Sequence, residues 1–284
     1  MCTSTTWTGS AVPDNQTLII SDLDGTLLRS DKSLSERTRR SLLAAREAGL
    51  RTAVASARPL RLVDQVIDDA ASLFDALIVS NGAAVIDASR RETLHENRLP
   101  AEDSDRIIDI IRGAWPNAGF GWELGTHFVG DQAFVELARD TAILRDPVEE
   151  ETSAVPHTGV HQLVFAVVDI PPADMVGEVS RMLGADYWVT DSNGGVVEIS
   201  SSTVTKAEGA RWWAESIGKT LADVVAFGDE LNDAPLLRDA GRGYAMANAA
   251  LHVQSVADGT TASNDEDGVA IVIEQLVTRN GATR

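Results

Sequence analysis

The stretch LIISDLDGTLL, Leu18 to Leu28, decides the fold. Four residues suited to a buried strand (LIIS) run straight into Asp22, then Asp24, Gly25 and Thr26. A buried carboxylate without a partner is costly, and two close together repel each other. A strand ending on such a pair calls for a compensating positive charge. In open parallel sheets ligands bind beyond the carboxyl ends of the strands, where this pair would stand.

The flanking sequence supports that setting. In SLSERTRRSLLAAREAGL, Ser33 or Ser35 can cap a helix whose apolar positions Leu42, Leu43, Ala45 and Ala48 recur at helical spacing before Gly49 stops it. RTAVASA then reads as a strand ending at Ser56, LRLVDQVIDDAA as a second helix, and ALIVSNG as a third strand. Strand and helix alternating in this way is the pattern of a parallel α/β sheet.

From about residue 85 the texture changes. ETLHENRL reads as a strand, Glu102 to Trp115 as a helix, GFGWELGTHFVG as aromatic strands, HQLVFAVV as a strand and Ala173 to Leu183 as a helix. YWVTDSNGGVVEIS reads as a β pair across Asn193-Gly194. Alternation then returns: helix Lys206 to Ser216, strand DVVAFG, helix Ala234 to Ala240, RGYAMA, and helix Val269 to Val277. The expected architecture is a Rossmann-like α/β core in two pieces, residues 1–84 and 196–284, with an α/β domain inserted at 85–195. Residues 1–16 are expected to be a flexible arm.

Composition narrows the function classes. With 284 residues, 44% of them hydrophobic, the chain can bury a substantial core. Its 43 acidic against 24 basic residues leave a net charge of -19, which disfavours nucleic acid as a partner. The single cysteine, Cys2, permits no disulfide within the chain. The N-terminal arm has neither a basic start nor an apolar run, and no stretch approaches a membrane span. The expectation is a cytoplasmic protein without a membrane partner.

Four polar signals fall at strand or helix ends: Asp22 with Asp24, Ser56, Lys206, and GDELND (Gly228 to Asp233). Singly, each has an ordinary reading as a turn carboxylate, a helix cap, a solvated lysine or an N-cap. A parallel sheet would bring them to one edge. There Asp22, Asp24 and Asp229 would supply oxygen ligands to a hard cation such as Mg²⁺, which neutralises carboxylates that otherwise repel. Ser56 and Lys206 would hold the oxygens of a phosphoryl group, and one carboxylate could attack phosphorus.

The motifs DLDGTLL, ASARP, Lys206 after an insertion, and GDELND together resemble the haloacid dehalogenase (HAD) superfamily, in its Cof-like, type IIB branch. VSNGA (Val79 to Ala83), VVEISSSTVTKAEG and the late NDEDGVA (Asn264 to Ala270) extend the likeness over nearly the whole chain. The resemblance implies a Mg²⁺-dependent phosphatase acting on a small phosphate ester. It implies Asp22 as nucleophile and metal ligand, and Asp24 as general acid/base with its backbone carbonyl on the metal. Ser56 and Lys206 would hold phosphoryl oxygens, Asp229 would ligate Mg²⁺ with Asp233 in support, and Asn232 would contact phosphate. Arg58 and Asn81 would lie on the substrate side, and Gly25 and Thr26 would bind the substrate or its phosphate. Ala57 and Ala207 stand where glycine is frequent in that family, a small departure.

A phosphorelay receiver shares the acidic pair, hydroxyl and lysine, but is about half as long and takes no insertion before the lysine. A phosphomutase on the same scaffold carries a smaller helical cap placed earlier. A non-catalytic protein would not need the full constellation. The inserted domain is expected to choose the substrate, with Trp122, Glu123 and His127 facing it.

Overall fold

The computed structural model describes residues 18–141, 150–152, 154–191 and 195–282. The chain opens as read: β1 (Leu18–Ser21), α1 (Glu36–Glu47), β2 (Arg51–Ala55), short helices α2 (Leu60–Asp64) and α3 (Ala70–Leu73), and β3 (Ala76–Val79). Ser35 is the cap of α1, its side chain accepting from Thr38 N. The helix expected over LRLVDQVIDDAA is two separate pieces.

Two further strands follow, β4 (Ala84–Asp87) and β5 (Thr93–Glu96). Then come α4 (Ala101–Ala114), β6 (Gly119–Glu123), β7 (Phe128–Gly130), α5 (Gln132–Thr141) and β8 (Glu150–Glu151). β9 (Gln162–Ala166), α6 (Pro172–Leu183), β10 (Tyr187–Asp191) and β11 (Val197–Ser201) complete the insertion. The chain ends through α7 (Lys206–Ser216), β12 (Val224–Gly228), α8 (Ala234–Asp239), β13 (Arg242–Ala245), α9 (Leu251–Gln254), β14 (Gly259–Thr260) and α10 (Gly268–Ala282).

Among the described residues these strands form two sheets. The larger runs β14-β13-β12-β1-β2-β3-β4-β5, and the smaller β10-β11-β9-β6-β7-β8. In the larger sheet β1 pairs in parallel with both β2 and β12, so the strand order reverses direction at β1. Such a reversal opens a crevice at the strands' carboxyl ends. Side chains alternate across the sheet: Ile19, Val54 and Leu77 join one buried cluster with Leu42 and Ile273 from the helices. Leu18, Ile20, Ala53 and Ile78 join the other, under Ala210 and Trp213 of α7. Apolar side chains on both faces explain why β1 is a continuous apolar run rather than an alternating one.

Two boundaries of the insertion move. β4 pairs antiparallel with β3, and β5 with β4, so the large sheet extends past residue 84 as far as Glu96. A short hairpin can add strands to a sheet edge without any crossover helix. At the far end β11 pairs with β9 and β10, which carries the small sheet to Ser201, beyond the expected limit at 195. The β pair expected over YWVTDSNGGVVEIS forms as β10 and β11, while its turn at Asn193-Gly194 lies outside the described residues. So does the N-terminal arm.

The insertion has its own apolar centre, where Ile107 and Ile111 of α4 and Met175 and Val179 of α6 cover Phe120, Leu163 and Ile199. No described helix is long and apolar enough to cross a membrane.

Candidate active site

The crevice at the β1–β12 junction gathers the charged residues that the sequence scatters over more than 200 positions. β1 delivers Asp22, whose amide donates to Phe227 O of the neighbouring β12 at 2.9 Å. β12 ends at Gly228 and passes to Asp229. A Cβ on Gly25 would lie 2.3 Å from Asp229 Oδ2, and Gly25 has φ +78°, so closeness and backbone both require glycine there. A Cβ on Gly228 would lie 2.4 Å from Asp233 Cβ. Gly25 lets the loop after β1 press against the loop after β12, and Gly228 lets the latter fold back on itself.

Lys206 opens α7 and is 2% exposed. Its Nζ donates to Asp22 Oδ1 and to Asp233 Oδ1, each at 2.6 Å. Asp233 in turn accepts from Asp229 N and Glu230 N at 3.0 Å, which fixes the loop after β12. Thr26 Oγ1 donates to Asp229 Oδ1 at 2.6 Å. Burial, with the neighbouring Asp233 and Asp229 charges, pushes the Asp22 carboxyl well above its ordinary range despite Lys206. Asp229 is pushed up to about 6, by burial first and then by Asp233 and Glu230. Lys206 is held as the ammonium: burial opposes its charge, but Asp22 and Asp233 outweigh it.

Asp22, Asp229 and Asp233 can offer one oxygen each within 4.8 Å of one another. Three mostly buried carboxylates facing one ammonium leave an excess of about two negative charges, and hard oxygen donors suit a divalent cation. The donor set fits such an ion. The Asp24 carboxylate is turned away from this group. It accepts from Arg58 Nε at 2.5 Å, Arg58 Nη2 at 2.8 Å and Lys32 Nζ at 2.8 Å. Burial raises its pKa, but these two cations outweigh burial and bring it down to about 2.

Ser56 is buried at the end of β2, where its Oγ accepts from Arg58 N at 3.1 Å and its carbonyl accepts from Asn81 N. Asn81 has φ 56° and accepts at Oδ1 from Asn232 Nδ2 at 2.9 Å. The buried Oδ1 of Asn232 and Oγ of Ser80 have no hydrogen-bond partner within the described protein. Polar atoms of this kind usually find a partner, and beside a crevice a ligand can supply it.

Two residues near this cluster escaped the sequence reading. Lys32 is one. The other is Asn248, which follows β13 and donates from Nδ2 to Gly25 O at 2.8 Å while Asn264 N donates to its Oδ1. The rule that parallel strands present ligand-side groups at their carboxyl ends would have pointed to Asn248.

The insertion's three expected substrate-facing residues part company. Trp122 is buried in the apolar centre beside Leu163, with its indole N–H unpartnered among the described residues. It does not face the crevice, because α4 and α6 pack on that side of β6. Glu123, next along the strand, points the opposite way and pairs with Arg61 of the core. His127 is exposed and shares a hydrogen bond with Thr126.

The family model for haloacid dehalogenase-like hydrolases matches residues 19–273. A 5-amino-6-(5-phospho-D-ribitylamino)uracil phosphatase of Bacillus subtilis (strain 168) is 28% identical over 262 residues, covering 92% of this chain and 95% of that one. The crystal structure of a haloacid dehalogenase-like hydrolase from Bacteroides thetaiotaomicron superposes with a TM-score of 0.74 at 27% identity, over 92% of this chain and all of that one. A HAD subclass IIB sugar phosphatase superposes at 0.72 with 21% identity, over 92% and 98% of the two chains, a likeness of fold. Together with the crevice at β1 and β12, these matches establish that this chain belongs to the haloacid dehalogenase-like hydrolase family and has the fold of its type IIB members.

Proposed function

We propose that the protein is a phosphatase that hydrolyses a small phosphate monoester through a phosphorylated Asp22, with Mg²⁺ as cofactor. One observation carries this reading: Lys206 binds Asp22 and Asp233 in a buried crevice that Asp229 completes.

Asp22, Asp229 and Asp233 would hold the metal, joined by the backbone carbonyl of Asp24. A bound Mg²⁺ supplies charge neutralisation at the carboxylates and at the phosphoryl oxygens. Lys206 and Ser56 then orient the phosphoryl group, and Arg58, Asn81 and Asn232 border it. A carboxylate oxygen of Asp22 attacks phosphorus while the bond from phosphorus to the ester oxygen breaks. Asp24, a carboxylate between Arg58 and Lys32 until it takes up a proton from solvent, gives that proton to the departing alkoxide. Asp24, now a base, takes a proton from water; the water oxygen attacks phosphorus, the bond to Asp22 breaks, and inorganic phosphate leaves. A positioned acid/base group is worth roughly 10²–10⁴ in rate.

The ester is chosen by what the insertion presents over the crevice, as a cap. The chemistry of the core asks only for a phosphate monoester, and the relatives' names support a metabolite phosphate. The test is release of inorganic phosphate from p-nitrophenyl phosphate and a panel of phosphorylated metabolites. Activity should require Mg²⁺, be lost on chelation, and fall by several orders of magnitude in Asp22→Asn with the far-ultraviolet spectrum unchanged. A wild type that releases nothing from the panel in Mg²⁺ would refute the proposal.

A further inference from the structure

We propose that Arg61 and Glu123 are positioning residues that couple the inserted domain to the acid/base residue Asp24, acting through Arg58. This rests on the phosphatase reading above and assigns roles to two residues that the reading leaves without one.

Arg61 belongs to α2 of the core, and Glu123 ends β6 of the insertion. Arg61 Nη1 lies 2.7 Å from Oε1 and 2.6 Å from Oε2 of Glu123. The two side chains are only 15% and 5% exposed. Glu123 Oε1 also accepts from Gly125 N at 2.7 Å, and the Arg61 guanidinium stands 5.6 Å from the Phe128 ring centroid. The carboxylate is thus fixed by its own domain and offered to the other. An exposed ion pair between mobile parts is weak, but this one is largely shielded from water, so separating its partners strands a charge.

What α2 is attached to gives the pair its meaning. Leu60 and Val63 anchor α2 in the same apolar cluster as Leu23 and Leu27, which bracket Asp24 in the chain. Pro59, whose φ is fixed by its ring, caps α2 and joins it to Arg58. Arg58 grips both carboxylate oxygens of Asp24. From Glu123 to Asp24 the connection is therefore ion pair, helix, proline and second ion pair, with an arginine side chain held at a carboxylate at each end. A shift of the insertion relative to the core moves α2, and with it the guanidinium that sets where Asp24 points.

The experiment compares two esters that differ in their need for a proton donor. Glycerol 2-phosphate expels an alkoxide, which must be protonated as it leaves; p-nitrophenyl phosphate expels a stable phenolate, which needs little help. Arg61→Met and Glu123→Gln should each lower kcat on glycerol 2-phosphate by about tenfold or more, a fraction of the full acid/base contribution. On p-nitrophenyl phosphate the same variants should stay within about threefold of wild type. Arg61→Lys should recover much of the loss, and the double variant should be no worse than the worse single. Thermal unfolding checks that each variant is folded, and Glu123→Gln, nearly isosteric, carries the test if Arg61→Met is not. Equal losses on the two esters, no loss on either, or a wild type active on p-nitrophenyl phosphate but not on glycerol 2-phosphate would overturn the coupling. Loss of all Asp22-dependent turnover in the wild type would instead overturn the phosphatase reading itself.

Discussion

Asp229 sits where three demands meet: it is largely buried, it borders Asp233, and it must be ionised to bind a cation. Its carboxyl is raised to about 6, chiefly by burial, against an ordinary value near 3.8. The folded protein therefore holds a proton there that the unfolded chain releases at lower pH. Without metal, this group makes the fold lose stability as pH rises from about 4 to about 6, with the loss complete above that window. Metal binding has the opposite dependence, because the proton must leave first. Mg²⁺ affinity measured by calorimetry should weaken as pH falls through 6, the Asp229 proton alone contributing up to about tenfold per pH unit. An affinity unchanged between pH 7.5 and pH 5 would show that Asp229 is not a ligand. Asp22, Ser56, Lys206 and Asp229 could be picked out from the chain alone because each stands where an apolar or helical pattern begins or ends. Trp122 and Glu123 could not be sorted, since strand alternation says that they face opposite ways but not which side α4 and α6 cover. Lys32 reaches Asp24 from a turn in which it has φ 68°, a geometry no pattern of apolar residues announces.

Helix α1 shows how the elements are set from within. Ser35 accepts from Thr38 N, Glu36 lies in the first turn, Arg46 in the last, and Gly49 leaves the helix with φ 86°. Each choice satisfies orphan backbone groups or the helix dipole. Ser35→Ala removes the cap, and it should lower unfolding stability by about 1 kcal/mol with little change in the denaturant slope. A change under a few tenths would mean that Thr38 Oγ1, which also bonds Ser35, compensates. Elements of this kind were readable because caps and spacing are local. β4 and β5 were assigned to the insertion because their partner is β3, and edge pairing leaves no mark on the strands' own composition. Helix α5 is masked in the sequence by the aromatic strands before it, although Phe134 and Leu137 recur at helical spacing on its buried side.

A net charge of -19 surrounds this architecture. Like charges at that density repel in the compact state more than in the expanded one. Raising sodium chloride from about 10 mM to 0.5 M shortens the screening length from roughly 30 Å to under 5 Å and should raise the melting temperature. A melting temperature that falls with added salt would mean that attractive pairs such as Arg37–Glu274 outweigh the repulsion. The placing of β1 between β2 and β12 has a different kind of outcome, in time rather than in energy. A ribosome that has released the first three strands has made only one wall of the crevice, and the other wall emerges after the whole inserted domain has been translated. The insertion pairs mainly with itself and can mature during that wait. Until α7 and then β12 are synthesised, Asp22 lacks Lys206 and a finished pocket, so an unfinished chain carries the proposed nucleophile without the means to use it.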